Sequence, residues 1–120
     1  WDVKPGIPGL ETTLPLLLDR VNRGELSLWD LTRFLSSGPA RLFHLKGKGS
    51  LQEGRDGDVV LVDLKERWVI DPSKFKSKAK YSPFEGVNVV GRPVKTFVAG
   101  DLVMDGGEIV AKPGCGRLLG

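Results

Sequence analysis

A hydrolytic site needs either a nucleophile with a proton acceptor or a metal held by three or four ligands, drawn mainly from His, Cys and carboxylates. The 120-residue chain has one histidine, His44, and one cysteine, Cys115. His44 supplies one metal ligand at most. Its place in the last turn of a predicted helix suits the negative end of the helix dipole. Cys115 lies between two glycines and reads as an exposed, inert thiol; one cysteine excludes an internal disulfide and a multi-cysteine zinc site. Asp56 and Asp58 flank a glycine in a turn, where carboxylates are common for backbone reasons. Asp101, Asp105 and Glu108 fall at hairpin corners and read as solvated. Glu11 stands beside the run WDVKPGIPG and fits either a ligand loop or a helix first turn, where negative charge is favoured. There is no His-x-His pair, nucleophile elbow, phosphate loop or dinucleotide-type glycine motif. No catalytic residue and no metal ligand is assigned to this stretch of sequence.

Two features could contact a ligand without catalysing anything. Pro5, Gly6, Pro8 and Gly9 exclude regular structure from residues 1–9. Glycine lets a backbone approach a ligand closely, so this run is either a plain connector or a binding loop. Lys74, Lys76, Lys78 and Lys80 alternate with small or aromatic residues and carry much of the net charge of +3. Such a stripe is either a solvated loop face or a contact for a phosphate backbone. No recognition helix or RNA-binding aromatic motif accompanies it, and nucleic acid is not an expected partner. No run approaches the ~20 apolar residues of a membrane span, and no secretory signal pattern opens the chain. The single cysteine fits a reducing compartment. The chain starts at Trp1, which reads as processing or as a piece of something longer.

The elements that would position these residues come in a segregated order. A helix is predicted over Glu11–Asn22, because Leu14, Leu17, Leu18 and Val21 form one apolar stripe at 3.6-residue spacing. Pro15 belongs in its first turn, and Gly24 closes it. A second helix is predicted over Leu28–Ser36, with Ser27 as N-cap, Asp30 completing an acidic capping box, and Leu26 and Leu31 as a hydrophobic staple. A third follows over Pro39–Leu45, with Gly38 as its cap. Residues 47–58 are turn-rich. Val59–Val62 reads as a buried strand extended by Asp63 and Leu64, and Trp68–Ile70 as a separate apolar run. Asp71-Pro72 initiates a turn. Val87–Val90 reads as a short strand, and Pro93–Ala99, Leu102–Met104 and Glu108–Val110 as a meander with glycine at each corner. Helices first and strands second suggest an α+β unit, or pieces of two layers of a larger protein.

Four blocks carry a family resemblance: GLETTLPLLL (Gly9–Leu18), SGPARLFHLKGKGSLQEGRDGDVVLVD (Ser37–Asp63), SKAKYSPFEG (Ser77–Gly86) and GRPVKTFVAGDLVMDGGEIV (Gly91–Val110). They resemble the C-terminal part of dihydroorotases, cyclic amidases of the amidohydrolase superfamily. The last block is also similar to dihydropyrimidinases, allantoinases and hydantoinases. The resemblance implies an α/β fold: the C-terminal end of a metal-dependent (β/α)8 TIM barrel plus strands of an accessory β-sandwich. Residues 1–50 would hold the last barrel helices and the substrate loop, and residues 51–120 the C-terminal part of the sandwich. A complete barrel takes about 250 residues, so this chain would be its end.

The implied activity is zinc-dependent, reversible hydrolysis of L-dihydroorotate to N-carbamoyl-L-aspartate in cytoplasmic pyrimidine biosynthesis. Zinc would lower the pKa of a bound water towards ~7 and polarise the amide carbonyl. The family's metal ligands and catalytic aspartate would lie upstream, and the segment alone would be inactive. Asp2 lacks the family's Asp-His-Ala-Pro-His surroundings and is not assigned. The resemblance does carry over a substrate contact just before the GLET stretch, at Pro5 and Gly6. Pro5 has no N–H, which leaves Gly6, with Ile7, as the amide donor. The implied partners are the cyclic amide, the N-terminal remainder of the enzyme, and a homo-oligomer or other pyrimidine-pathway enzymes. Another cyclic amidase, or a non-catalytic assembly subunit, is the alternative.

Overall fold

Leu18 is fully buried, and the close approach around it joins the two halves of the chain. The computed structural model describes residues 6–116 and Leu118. Its elements are helix α1 (Thr13–Asn22), helix α2 (Leu28–Thr32), a π-helical turn (Arg33–Ser37), helix α3 (Gly38–Leu42), and strands β1 (Val59–Val69), β2 (Asn88–Val98), β3 (Asp101–Asp105) and β4 (Glu108–Ile109). The strands form one antiparallel sheet in the order β1-β2-β3-β4. Helices precede strands, as the sequence predicts.

Helix α1 lies across β2. Gly91 has φ +108°, and a Cβ there would sit 2.7 Å from the Leu18 Cβ, so glycine is what permits the helix to come this near. Asn22 Nδ2 then donates to the Val90 carbonyl at 3.1 Å, and Asp19 Oδ1 accepts from the Val90 N–H at 3.2 Å. Beneath the helix, Ile70, Phe75 and Val89 form the buried core, with Leu16, Trp68 and Phe84 packed against it. Pro15 sits in the first turn of α1, where its missing N–H costs no helical bond. Helix α1 ends in a Schellman motif, with Gly24 and Glu25 donating back to Val21 and Arg20.

The predicted helix boundaries change in the middle of the chain. The capping box of Ser27 and Asp30 forms as expected. The second and third helices, however, run on from Leu28 to Leu42 without a break. Pro39 has no N–H, and its ring opposes the carbonyl four residues back. The ladder slips instead: the Gly38 N–H donates to the Arg33 carbonyl, five residues away. A Cβ at Gly38 would lie 2.4 Å from that oxygen. Helix α3 then closes on a second Schellman motif, with His44 at the left-handed position (φ +54°) and Leu45 N–H donating to Ala40 at 2.8 Å. The helix ends at Leu42 where Leu45 was expected, so His44 stands two residues past its end, outside the last turn it was predicted to occupy.

The strands are longer than their predicted pieces. Val59–Leu64 and Trp68–Ile70, less Ile70, merge into β1, and Val87–Val90 and Pro93–Ala99, less Val87 and Ala99, merge into β2. Irregularities absorb what would otherwise break the ladder. One register shift falls between Leu61 and Val62, opposite Pro93, which has no N–H to offer. Another falls between Asp63 and Arg67. There the Asp63 carboxylate accepts from the Lys65 and Glu66 N–H groups at 2.7 and 3.2 Å, replacing ladder partners. The β2–β3 and β3–β4 corners carry pairs of positive φ, at Ala99-Gly100 and Gly106-Gly107, as two-residue hairpin turns require.

Candidate functional site

Gly6 and Ile7 lie in an exposed loop leading into α1. Gly6 has φ +79°, and a Cβ added there would meet nothing within 4 Å. Glycine is needed at this point for its backbone conformation, since there is no crowding to avoid. Pro5 and Asp2 lie outside the described residues. At its other end the loop is fixed by the Gly9 carbonyl, which accepts from the Thr12 and Thr13 N–H groups at 3.1 and 2.9 Å and from the Thr13 hydroxyl at 2.8 Å.

The lysine-rich connector runs alongside this loop. Glu11 precedes the first turn of α1, and its carboxylate turns away to the connector. Oε2 accepts from the Lys76 N–H at 2.9 Å; Oε1 accepts from the Ser77 N–H at 2.8 Å and the Ser77 hydroxyl at 2.7 Å. Partial burial pushes the Glu11 carboxyl up, but these hydrogen bonds, with the charge of Lys80, outweigh it and hold the group below its ordinary value. Tyr81 then reaches back across the gap, its hydroxyl donating to the Gly6 carbonyl at 3.2 Å. Neither contact was accessible to a sequence reading, because the partners stand 65 to 75 positions apart and no local pattern marks them.

The other candidate residues are drawn into structure. Lys76 pairs with Glu108 at 2.8 Å, Lys74 with Asp71 at 3.4 Å, and Lys95 with Asp105 at 2.6 Å; Lys80 donates to the Phe75 carbonyl. Three lysines of the basic stripe thus have internal partners, and Asp105 and Glu108 are more than solvated corners. Lys48 binds both Asp56, at 3.0 Å, and Asp58; the Asp58 bond comes first among the contacts that raise its pKa. Asp58 also accepts from the Ala99 N–H at 2.8 Å, so the turn at residues 56–58 is stitched to the β2–β3 hairpin. Cys115 is exposed. Among the described residues no group of three or more His, Cys, Asp or Glu could hold a metal ion. The donor set does not fit a metal centre, and no metal-dependent step is assigned to these residues. No described helix is long and apolar enough to cross a membrane.

Comparison with known proteins places this arrangement. The amidohydrolase family model matches residues 7–103, most of the chain. The chain belongs to the amidohydrolase family. It is 47% identical over 119 residues to a dihydroorotase of Methanothermobacter thermautotrophicus and 43% identical over 114 residues to one of Pyrococcus horikoshii. These alignments cover 99% and 95% of the chain, and 27% of each relative. Among solved structures, an L-hydantoinase (dihydropyrimidinase) from Arthrobacter aurescens superposes with a TM-score of 0.95 at 42% identity, covering 99% of the chain and 27% of that structure. A D-hydantoinase follows at 0.91 and 31% identity. The dihydroorotase-like character read from the four sequence blocks is thereby supported. The chain spans about a quarter of the length of these relatives.

Proposed function

We propose that this chain is the C-terminal part of a dihydroorotase, an enzyme that hydrolyses L-dihydroorotate reversibly to N-carbamoyl-L-aspartate with the aid of a bound zinc ion. The observation that carries this reading is the 47% identity running over 119 residues to a dihydroorotase. Residues 1–50 would supply the closing helices of a (β/α)8 barrel and a substrate loop, and residues 51–120 the sandwich strands. The metal and the proton-transferring group would be held by the part of the enzyme that this chain does not span. The role left for these residues is binding. The Gly6–Ile7 loop would present backbone N–H groups to the substrate carboxylate, a use suited to an exposed glycine with no Cβ to obstruct a ligand.

A second reading is supported by the structural neighbours. The 0.95 TM-score to an L-hydantoinase favours a related cyclic amidase acting on hydantoins or dihydropyrimidines. Both readings share one reaction class, hydrolysis of a cyclic amide, and differ in the ring accepted.

Turnover assays decide between them. The full-length polypeptide, supplied with Zn2+, is expected to hydrolyse dihydroorotate in preference to a 5-substituted hydantoin or dihydrouracil. The 120-residue chain alone, with the same metal, is expected to show no turnover. A full-length protein that ignores dihydroorotate and hydrolyses hydantoin would replace the first reading with the second. Activity in the isolated chain would overturn the placement of the metal ligands elsewhere.

A further inference from the structure

The loop at residues 6–11 and the connector at residues 76–81 are equal in length and fastened to each other at both ends. At one end Glu11 grips the Lys76 and Ser77 N–H groups and the Ser77 hydroxyl. At the other, the Tyr81 hydroxyl holds the Gly6 carbonyl at 3.2 Å. The connector is itself anchored. Phe75, just before it, is a buried core residue, and Phe84, just after it, packs against the same core. Lys80 closes back on the Phe75 carbonyl, and the buried Ser82 accepts from the Phe84 N–H at 3.2 Å. Among the described residues the loop's own support lies at its Gly9 end, where the Gly9 carbonyl accepts from Thr12 and Thr13. Gly6 has no side chain to pack, and Ile7 is 64% exposed.

We propose that the connector is a brace that sets the height and orientation of the Gly6–Ile7 loop, with Tyr81 and Glu11 as positioning residues for substrate binding. The inference rests on the reading of that loop as a substrate contact. Two ties are needed because one end of a glycine-containing loop can be fixed while the other still swings. Glu11 fixes where the loop meets the helix; Tyr81 fixes where it meets the substrate. Neither residue need touch the substrate, and neither takes part in bond breaking. Their effect is therefore on binding shared by the ground and transition states, which appears in KM and leaves kcat alone.

The test is steady-state kinetics of the full-length enzyme with Tyr81→Phe, Ser77→Ala and Gly6→Ala. Tyr81→Phe keeps the ring and removes the hydroxyl that bonds the Gly6 carbonyl; such a hydrogen bond is worth about a three- to tenfold change in an equilibrium. The expected result is KM raised by about that factor with kcat within about twofold. Amide hydrogen exchange at Gly6 and Ile7 should quicken while exchange at Val89 in the core stays unchanged. Ser77→Ala, which spares the two backbone bonds to Glu11, should shift KM the same way by less. Gly6→Ala distorts the loop directly at φ +79° and should raise KM more than either. If Gly6→Ala raises KM and Tyr81→Phe alters neither KM nor the exchange, the brace is wrong and the loop reading stands. If Gly6→Ala leaves both kinetic constants unchanged, the loop reading falls and takes the brace with it.

Discussion

Glu11 shows what a single carboxylate does once the chain has folded. Its sequence position suggests a helix first turn or a ligand loop. The structure gives it another task, accepting hydrogen bonds from a segment 65 residues away. The hydrogen bonds favour the ionised form, so its pKa lies below the ordinary 4.5 despite the opposing effect of burial. A group with a depressed folded pKa contributes stability that is present above its unfolded value and lost as pH falls through its folded value. The brace should accordingly be intact at neutral pH and weaken only below about 4.5. Unfolding of full-length wild type and Glu11→Gln, followed as a function of pH, is expected to show a stability gap at pH 7 that closes on acidification through this range. A gap that persists unchanged into strong acid would mean the charge of Glu11 contributes nothing. His44 makes a related point. Its identity suggests chemistry, but at the Schellman position it serves the backbone, in a conformation that His adopts more readily than β-branched residues do.

At the scale of elements, the apolar periodicity of α1, the capping box of α2 and the two glycine corners of the meander were legible because each depends on neighbours in sequence. Less legible was continuity. Pro39 reads as a helix start, yet the helix passes through it by way of a π turn; Pro93 and the charged stretch around Lys65 read as strand ends, yet bulges carry the ladder past them. In each case a backbone group without its regular partner finds a substitute, and substitutes are invisible to a period. Gly91 is the position where one element's geometry depends most on a single residue. Alanine there must displace Leu18 or the strand, since its Cβ would come within 2.7 Å of the Leu18 Cβ while φ stays at +108°. Backbone strain and overpacking together predict a loss of about 2–4 kcal/mol. Urea unfolding of full-length Gly91→Ala measures it; a loss under about 0.5 kcal/mol, within the range of an ordinary surface change, would show that α1 does not depend on this contact.

The whole molecule is short of a core. Among the described residues five hydrophobic side chains are buried, whereas sixteen large ones are exposed. Three of the exposed ones, Leu10, Val60 and Ile109, gather with the half-buried Leu14, Thr96 and Met104 around an open groove of about 490 Å³. Val60, Thr96, Met104 and Ile109 stand in register across the four strands. On the helical side Trp29, Leu42, Phe43 and Leu51 are each at least 68% exposed. Apolar surface gathered as it is in the groove marks an interface, and relatives almost four times as long leave ample chain to cover it. The order of helices and strands was legible in the periodicity; the open faces were expected only through the family resemblance, because an apolar stripe looks the same whether its partner lies within the segment or beyond it. The isolated 120-residue chain should therefore bind a hydrophobic dye strongly and self-associate at micromolar concentration, and the full-length protein should do neither at the same concentration. Light scattering and dye fluorescence on the two proteins side by side provide the comparison. A monomeric, dye-silent 120-residue chain with a sharp cooperative transition would mean that these faces need no partner, and that the segment is a domain in its own right.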